Sequence, residues 1–482
     1  MGTSEYARPG RPEADRSSVG WLLRIMTPLV VADLMAAFES AMVLAALSTM
    51  ISQYGDPVMV GWMVTGYLLV SAAGAAIIGR LGDMFGRKRV LLLVMAVAVA
   101  GSVVSAAASS LWAVIAGRAV QGFAVVVLPL CFGLMREHLP SSRIPTCIGV
   151  ITATSSIGSA IGLIGGGMII DSFDWRSIFI ASSMFGAVAI AVAGALLPPS
   201  EGITAHGSID WLGGVLFAPA IAALLFAASS GGDWGWTHPA ILPTGIGGTL
   251  LLAFWARREL RCQHPLIDLR LFTDRNVSIA YVCLFLAALG SMQVLQFFML
   301  FAQQPTWTGT GLGLSATAAG VLKLPAMVVT VIGAPISGWA IGRLGGRPVI
   351  IAGLVLCSVS WLGMLVRPSG IYWTASMLAS CALGIGIVYT VIPNMIVAAA
   401  PPDRTSEATG LLTVVRALVA AIGAQLMMIL LGTSTVGATP DVGRYPSAAA
   451  YSLTLLVLFA LSVTAALAAW SLPSRMTNRY TV

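Results

Sequence analysis

The segment GRLGDMFGRKRV, residues 79–90, packs glycine and charge between two long apolar stretches, 58–79 and 90–109. A helix rises about 1.5 Å per residue, so about 20 apolar residues cross a hydrocarbon core of roughly 30 Å. The segment then reads as a short turn between two membrane spans. Arg87, Lys88 and Arg89 hold that turn in water on one side of the bilayer. Gly79 and Gly82 allow close helix contact at the membrane edge. Asp83 can meet the positive N-terminal end of a neighbouring helix or one of the local arginines.

The same pattern repeats outward from this turn. The chain has 482 residues, 57% hydrophobic and only 9% charged, whereas soluble domains carry about 25% charged residues. That composition excludes a disordered chain and argues strongly against a soluble one. Fourteen apolar runs are long enough to be spans: 24–50, 58–79, 90–109, 112–135, 145–170, 177–197, 211–230, 239–256, 277–302, 314–341, 348–366, 371–395, 408–432 and 448–471. The seventh and eighth are the weakest, separated by GGDWGWTHP.

An even number of spans puts both termini on one side. The net charge of +7 would point to nucleic acid in a soluble chain, but here its placement matters more. Arg8, Arg11, Arg16 and Arg24 precede the first span; Arg80, Arg87, Lys88 and Arg89 follow the second; Arg136 and Arg143 follow the fourth. Arg257, Arg258, Arg261, Arg270 and Arg275 follow the eighth, Arg343 and Arg347 the tenth, Arg404 the twelfth, and Arg475 and Arg479 the last. The opposite loops hold only Arg176, Arg367 and Arg444. This asymmetry predicts cytoplasmic termini in a multi-pass cell-membrane protein, with no nucleic-acid partner. The first apolar run is too long for a cleavable signal peptide and follows a charged tail.

Five charges fall inside the predicted spans: Asp33, Glu39, Arg118, Lys323 and Arg416. Each costs roughly 2.5–3.5 kcal/mol to insert, so such groups face a cavity or one another. On one helix Asp33 lies about 13 Å beyond Arg24 and Glu39 about 22 Å, on faces about 120° apart, so they need different partners. Two readings stay open. The carboxylates form structural ion pairs, such as Asp33 with Arg118, or one of them cycles between protonated and charged forms as an arginine moves. Lys323 either snorkels or bonds a carbonyl, or lines a cavity and meets an anionic or polar group. Trp62, Tyr67, Phe297, Phe298 and Tyr389 are candidate cavity aromatics, with ordinary packing as the alternative.

No nucleotide-binding Gly-x-x-x-x-Gly-Lys-Ser/Thr loop, His-Glu-x-x-His or Gly-x-Ser-x-Gly pattern occurs. The four histidines, 138, 206, 238 and 264, fall in predicted loops. The six cysteines, 131, 147, 262, 283, 357 and 381, have no metal or disulfide spacing. The expectation is neither an enzyme nor a metalloprotein, with no cofactor.

The order Gly-x-Leu-x-Asp-x-x-Gly-Arg-Lys in residues 79–88 resembles the signature loop of the major facilitator superfamily. LWAVIAGRAVQG (111–122) resembles the family's fourth helix, GYLL (66–69) its second, and SATAAGVLKLPA (315–326) and GLLTVVRALVAAIG (410–423) its second half. HPLIDLRLF (264–272) and Arg416 are similar to the fourteen-span drug:proton antiporter branch. The resemblance implies an all-α major facilitator fold: 14 transmembrane helices as two six-helix halves, 24–197 and 277–471, plus two linker helices within 198–276. Residues 1–23 and 472–482 would be cytoplasmic tails. GWAIGRLGGRP (338–348) is the matching loop of the second half, with Gly342 opposite Asp83; such internal repeats surround a central site.

The resemblance also implies roles. Gly79, Asp83, Gly86, Arg87 and Lys88 would form a gating loop. In FESAMVLAALS (38–48) Glu39 takes the place of the family's first-helix acid, so Glu39 and Arg118, with Asp33 as the alternative acid, are implicated in proton coupling. Lys323, Arg416, Trp62, Tyr67, Phe298 and Tyr389 would line a substrate cavity. Gly158, Gly162 and Gly166 fit close packing of the fifth helix. That helix departs from the family, with Leu163 where a proline is usual. The implied function is proton-coupled export of small amphipathic compounds by alternating access, in the bilayer and as a monomer. The alternative is a carrier for one lipid, metabolite or anion that need not be an antiporter.

Overall fold

The computed structural model describes residues 18–140, 143–200, 211–262, 275–367, 370–399, 405–437 and 444–472. Of the expected segments, the tails 1–17 and 473–482 and the motif 264–272 lie outside the described residues. Almost all of the rest is helix, because backbone polar groups in hydrocarbon must be satisfied within their own segment.

The first six spans are α1 (Val19–Tyr54), α2 (Pro57–Phe85), α3 (Arg87–Ala107), an interrupted fourth, α6 (Ile144–Ser172) and α7 (Arg176–Leu196). The fourth consists of α4 (Leu111–Gln121), a 3-10 turn (Gly122–Val126) and α5 (Val127–His138). Then come α8 (Trp211–Trp234) and α9 (Ile241–Glu259). The last six spans are α10 (Arg275–Gly290) with α11 (Val294–Gln303), α12 (Ala316–Val321) with α13 (Leu324–Leu344), α14 (Gly346–Val366), α15 (Ile371–Ala399), α16 (Thr405–Gly432) and α17 (Ala448–Trp470). A small hairpin, β1 (Thr435–Val436) with β2 (Tyr445–Pro446), joins α16 to α17.

Among the described residues, twelve of these spans are long and apolar enough to cross a membrane. Of the linker pair, α8 registers only as a shorter apolar stretch, Pro219–Ala228, and α9 is not among the twelve; the two helices stand in the expected place. The pair packs on itself, with Gly248 held against Ala220 and Ala223, and α8 leans on α2 through Phe226 and Trp62.

Three predicted spans are interrupted rather than continuous. The ninth breaks at Ser291–Gln293, where the Gln293 amide donates to the carbonyls of Ala288 (3.4 Å) and Ala420 (2.8 Å). A side chain thereby satisfies backbone that the break has freed. The tenth breaks at Leu322–Lys323, directly before Pro325, which has no N–H to give. The fourth tightens after Gln121.

Single glycines turn the chain between α2 and α3 and between α13 and α14. Gly86 has φ 91° and Gly345 φ 86°, a region that only glycine enters without strain. The two matching turns bear out the internal repeat. They lie at one end of the bundle, called here the basic end. Trp21 donates to the carbonyl of His138 and Arg24 to that of Leu196, so the start of α1 lies at this end too. Arg347 stacks over Trp470 at 5.3 Å, which brings the end of α17 there.

At the opposite end the first six spans touch the last six along two seams. On the first, α2 meets α16: Thr65 donates to Gln425 (2.8 Å), whose amide donates to the Val58 carbonyl (3.3 Å). A Cβ on Gly61 would stand 2.6 Å from Met428. On the second, α6 meets α12. Asp171 accepts from the backbone N–H groups of Ala316 (3.0 Å) and Thr317 (2.9 Å), satisfying donors the helix start leaves open. A Cβ on Gly167 would stand 2.6 Å from backbone atoms of both residues, and one on Gly320 would stand 3.0 Å from the Leu163 carbonyl. Leu163, the departure from the family pattern, therefore lies in this seam.

Candidate functional site

The two carboxylates of α1 have separate surroundings, as their spacing requires. Glu39 is fully buried. Its Oε1 accepts from the hydroxyls of Ser102 on α3 (2.9 Å) and Ser182 on α7 (2.8 Å), while Oε2 has no hydrogen-bond partner. Ser102 in turn accepts from the Gln121 amide.

Arg118 is also fully buried. Its Nη1 donates to the Gln121 side chain (2.8 Å) and to the backbone carbonyl of Glu39 (3.1 Å), not to the Glu39 carboxylate. Its guanidinium lies 4.4 Å from the centre of the Tyr67 ring. Nε and Nη2 of Arg118 and the Tyr67 hydroxyl have no partner.

Glycines make this cluster possible. A Cβ on Gly101 would stand 2.6 Å from the Gly117 carbonyl; without one, α3 and α4 close up and Ser102 reaches Gln121. A Cβ on Gly122 would run into the Tyr67 carbonyl, so its absence lets Tyr67 sit beside Arg118. Tyr67 thus belongs to the Glu39 cluster rather than to a cavity wall.

Asp33, nearly buried, accepts from Ser155 (2.7 Å) and Thr154 (3.3 Å) on α6. The structure therefore corrects the suggested Asp33–Arg118 ion pair: the two side chains have different partners, and α6 supplies those of Asp33. One turn along α6, Ser159 accepts from Lys323 Nζ at 2.7 Å.

Ser155, Ser159 and Lys323 border a cavity of about 340 Å³ between α6 and helices α11, α13 and α15. Ser156 and Thr330 add two more hydroxyls to its wall. Val294, Leu295, Met327 and Leu378 supply apolar surface. Lys323 is the charged member of that wall.

The other predicted cavity residues lie elsewhere. Trp62 is buried against Phe226 of the linker pair. Phe298 is buried, stacked on Trp361 and edge-on to Phe297. Arg416 lies 4.9 Å from the ring centre of Tyr389. None of these four is among the residues that border the cavity: Trp62 is taken up by the linker pair, and Phe298, Tyr389 and Arg416 by neighbours within the last six spans.

Gly158, Gly162 and Gly166 seat α6 against α1. Added Cβ atoms would stand 2.8 Å from Ala37, 2.7 Å from the Phe38 carbonyl and 3.3 Å from Met42.

At the signature loop, Gly79 and Asp83 lie outside the residues whose side chains are described. Beyond Gly86, Arg87 donates to the Gly133 carbonyl (3.0 Å) and faces Glu137 at 3.9 Å. Ser200 links the two, accepting from the Arg87 backbone N–H and donating to Glu137. Lys88 donates to the carbonyls of Gly194 (2.9 Å) and Leu197 at the end of α7, a favourable place for a cation. The loop thus ties the basic-end tips of α5 and α7 together.

Sequence reasoning missed Ser102, Gln121, Ser182, Ser155, Ser159 and Asp171. Gln121 stood inside the quoted fourth-helix motif, and the serines of α6 inside the glycine-rich stretch. Their signal was a polar side chain in an apolar run, weak because serine bonds readily to its own helix.

A sequence profile described as the Major Facilitator Superfamily matches residues 29–424. The Multidrug resistance protein B homolog of Mycobacterium tuberculosis is 28% identical over 438 residues, 88% of this chain and 79% of that protein. The Tetracenomycin C resistance and export protein of Streptomyces glaucescens is 28% identical over 389 residues, 79% of this chain and 70% of that protein. Among solved structures, the nucleoside transporter NupG superposes with a TM-score of 0.65 at 13% identity, covering 93% of this chain and 99% of that one. A D-xylose-proton symporter does so with a TM-score of 0.64 at 14% identity, covering 95% and 99%. Helical order, internal repeat and sequence profile agree: the chain belongs to the major facilitator superfamily and is a multi-pass membrane transporter.

Proposed function

We propose that this transporter exports small amphipathic compounds against an inward flow of protons, by alternating access, with Glu39 as the proton-carrying group. The observation that carries the reading is the state of the Glu39 carboxyl. In a structural ion pair Arg118 would grip that carboxylate with its planar fork. Here Arg118 holds the backbone carbonyl of the same residue instead. Oε1 takes two hydroxyls and Oε2 is left open, the place where a proton would bind. A swing of the guanidinium toward Oε2 would favour loss of that proton, and its return would favour uptake.

Relatives named for multidrug resistance and for tetracenomycin C export support an outward direction. The basic end faces the cytoplasm on the positive-inside argument, with both termini there. Spans within 24–197 and 277–471 act as the two moving halves of a monomer. The seams α2–α16 and α6–α12 then close the outer side while the cavity is reached from within. Gly79, Asp83, Gly86, Arg87 and Lys88 form the gating loop on the cytoplasmic side of the first half, a role supported by the contacts of Arg87 and Lys88.

The test is proton release from purified protein on addition of a panel of amphipathic compounds. The wild type is expected to release protons, and Glu39→Gln to bind the same compounds without release. Equal release from both would transfer the role to Asp33. Binding with no release from either would remove the antiport reading in favour of a facilitator.

A further inference from the structure

We propose that the cavity between α6 and α13 takes an amphipathic monoanion, a compact apolar body whose acidic group seats on Lys323. This rests on the transport reading above and adds the chemistry of the cargo.

Lys323 stands at the α12–α13 break with its ammonium in the cavity wall. An ammonium offers three donors, and its hydrogen bond goes to one neutral hydroxyl, that of Ser159. Among the described residues no carboxylate comes within 4 Å of it. Asp33 is the nearby acid of the first half, yet its carboxylate is directed at Ser155 and Thr154. A cation held in a membrane interior without a counter-charge is costly. An anionic cargo would supply that counter-charge, whereas a cationic cargo would be repelled.

The rest of the wall suits the same molecule. Four hydroxyl side chains, Ser155, Ser156, Ser159 and Thr330, share the cavity wall with Lys323, and Val294, Leu295, Met327 and Leu378 add apolar surface to it. The volume of about 340 Å³ is at the small end of ligand sites, which run from about 300 to 1,000 Å³. It admits a body of two or three rings. When such an anion arrives, the Lys323–Ser159 bond is exchanged for an ion pair, and α6, which carries Ser159, Gly167 and Asp171, loses one tie to the second half.

The experiment uses a matched pair of probes, 8-anilinonaphthalene-1-sulfonate and its uncharged counterpart N-phenyl-1-naphthylamine. Each is bound to the full chain in lipid nanodiscs by equilibrium dialysis, with empty discs subtracted and no proton gradient. Wild type is expected to bind the sulfonate about tenfold or more tighter than the neutral compound, as a charge-assisted hydrogen bond allows. Lys323→Met removes that preference and leaves binding of the neutral probe unchanged, which reports an intact cavity. Lys323→Arg keeps the preference.

Equal affinity of wild type for both probes overturns the proposal without recourse to any variant. So does an unchanged preference in Lys323→Met, or tighter binding of ethidium than of the sulfonate. Proton-driven flux in vesicles is scored separately. Coupled export of ethidium with no anion preference leaves the exporter reading standing and removes this one. Anion preference without any coupled flux does the reverse.

Discussion

Replacing Gly167 with leucine is expected to lower transport by about 10- to 100-fold while leaving the chain folded and inserted. The glycine meets backbone atoms of Ala316 and Thr317, with 2.6 Å left for a Cβ, so neither side can yield by turning a side chain. Overpacking of this kind costs about 1–3 kcal/mol. The cost falls on the state in which the α6–α12 seam is shut and is absent once the halves part at this end. A penalty applied to one of two states shifts their ratio by the same free energy. The measurement is flux in vesicles normalised to protein amount, together with labelling of T317C by an impermeant maleimide. Labelling should rise as flux falls. Unchanged flux would mean that the seam does not open and close during the cycle.

Arg118→Met should be the most destabilising single change in the first half, by about 3–5 kcal/mol, because two hydrogen bonds from a charged group, each about 1.5–3 kcal/mol, are lost together. The guanidinium is fully buried and spans three elements, bonding the Glu39 carbonyl on α1 and Gln121 on α4 and lying over Tyr67 of α2. Its loss leaves Glu39 in an apolar interior with only two serine hydroxyls. The expected result is earlier thermal unfolding of the solubilised protein and no proton-coupled flux. Arg118→Lys restores the charge but not the planar guanidinium that lies over the Tyr67 ring, so it should fall between the two. Wild-type stability in Arg118→Met would show that the guanidinium is balanced by something other than these groups.

Much of this architecture could be read before any coordinates, for one physical reason. In hydrocarbon the backbone must be helical, so apolar length and loop charge mark out the spans. Gly86 and Gly345 announced the repeat because each sits in a one-residue turn. The breaks after Gln121, at Ser291–Gln293 and at Lys323 did not show, because the freed groups are met by the Gln293 amide at one break and by tightened backbone bonds at the other two, which leaves hydropathy unchanged.

The site divides in the same way. Glu39, Arg118 and Lys323 stood out as charges where charges are expensive. Ser102, Ser182 and Gln121 did not, because their part depends on which faces of α3, α4 and α7 meet. Trp62 and Phe298 fitted a cavity wall as well as a packed interior by composition. Their neighbours Phe226 and Trp361, far away in sequence, decided the matter.

The enclosure of Glu39 has a consequence for how protons and cargo oppose each other. Neither Glu39 nor its partners Ser102, Ser182, Gln121 and Arg118 are among the residues that border the cavity, so with Glu39 as the proposed proton site and the cavity as the proposed cargo site the two ligands would not contend for the same space. Their antagonism runs only through the arrangement of helices, and it is limited to a finite coupling free energy. In a titration of cargo affinity against acidity, the affinity should decline and then level off at a floor. A shared site would instead drive it down without end.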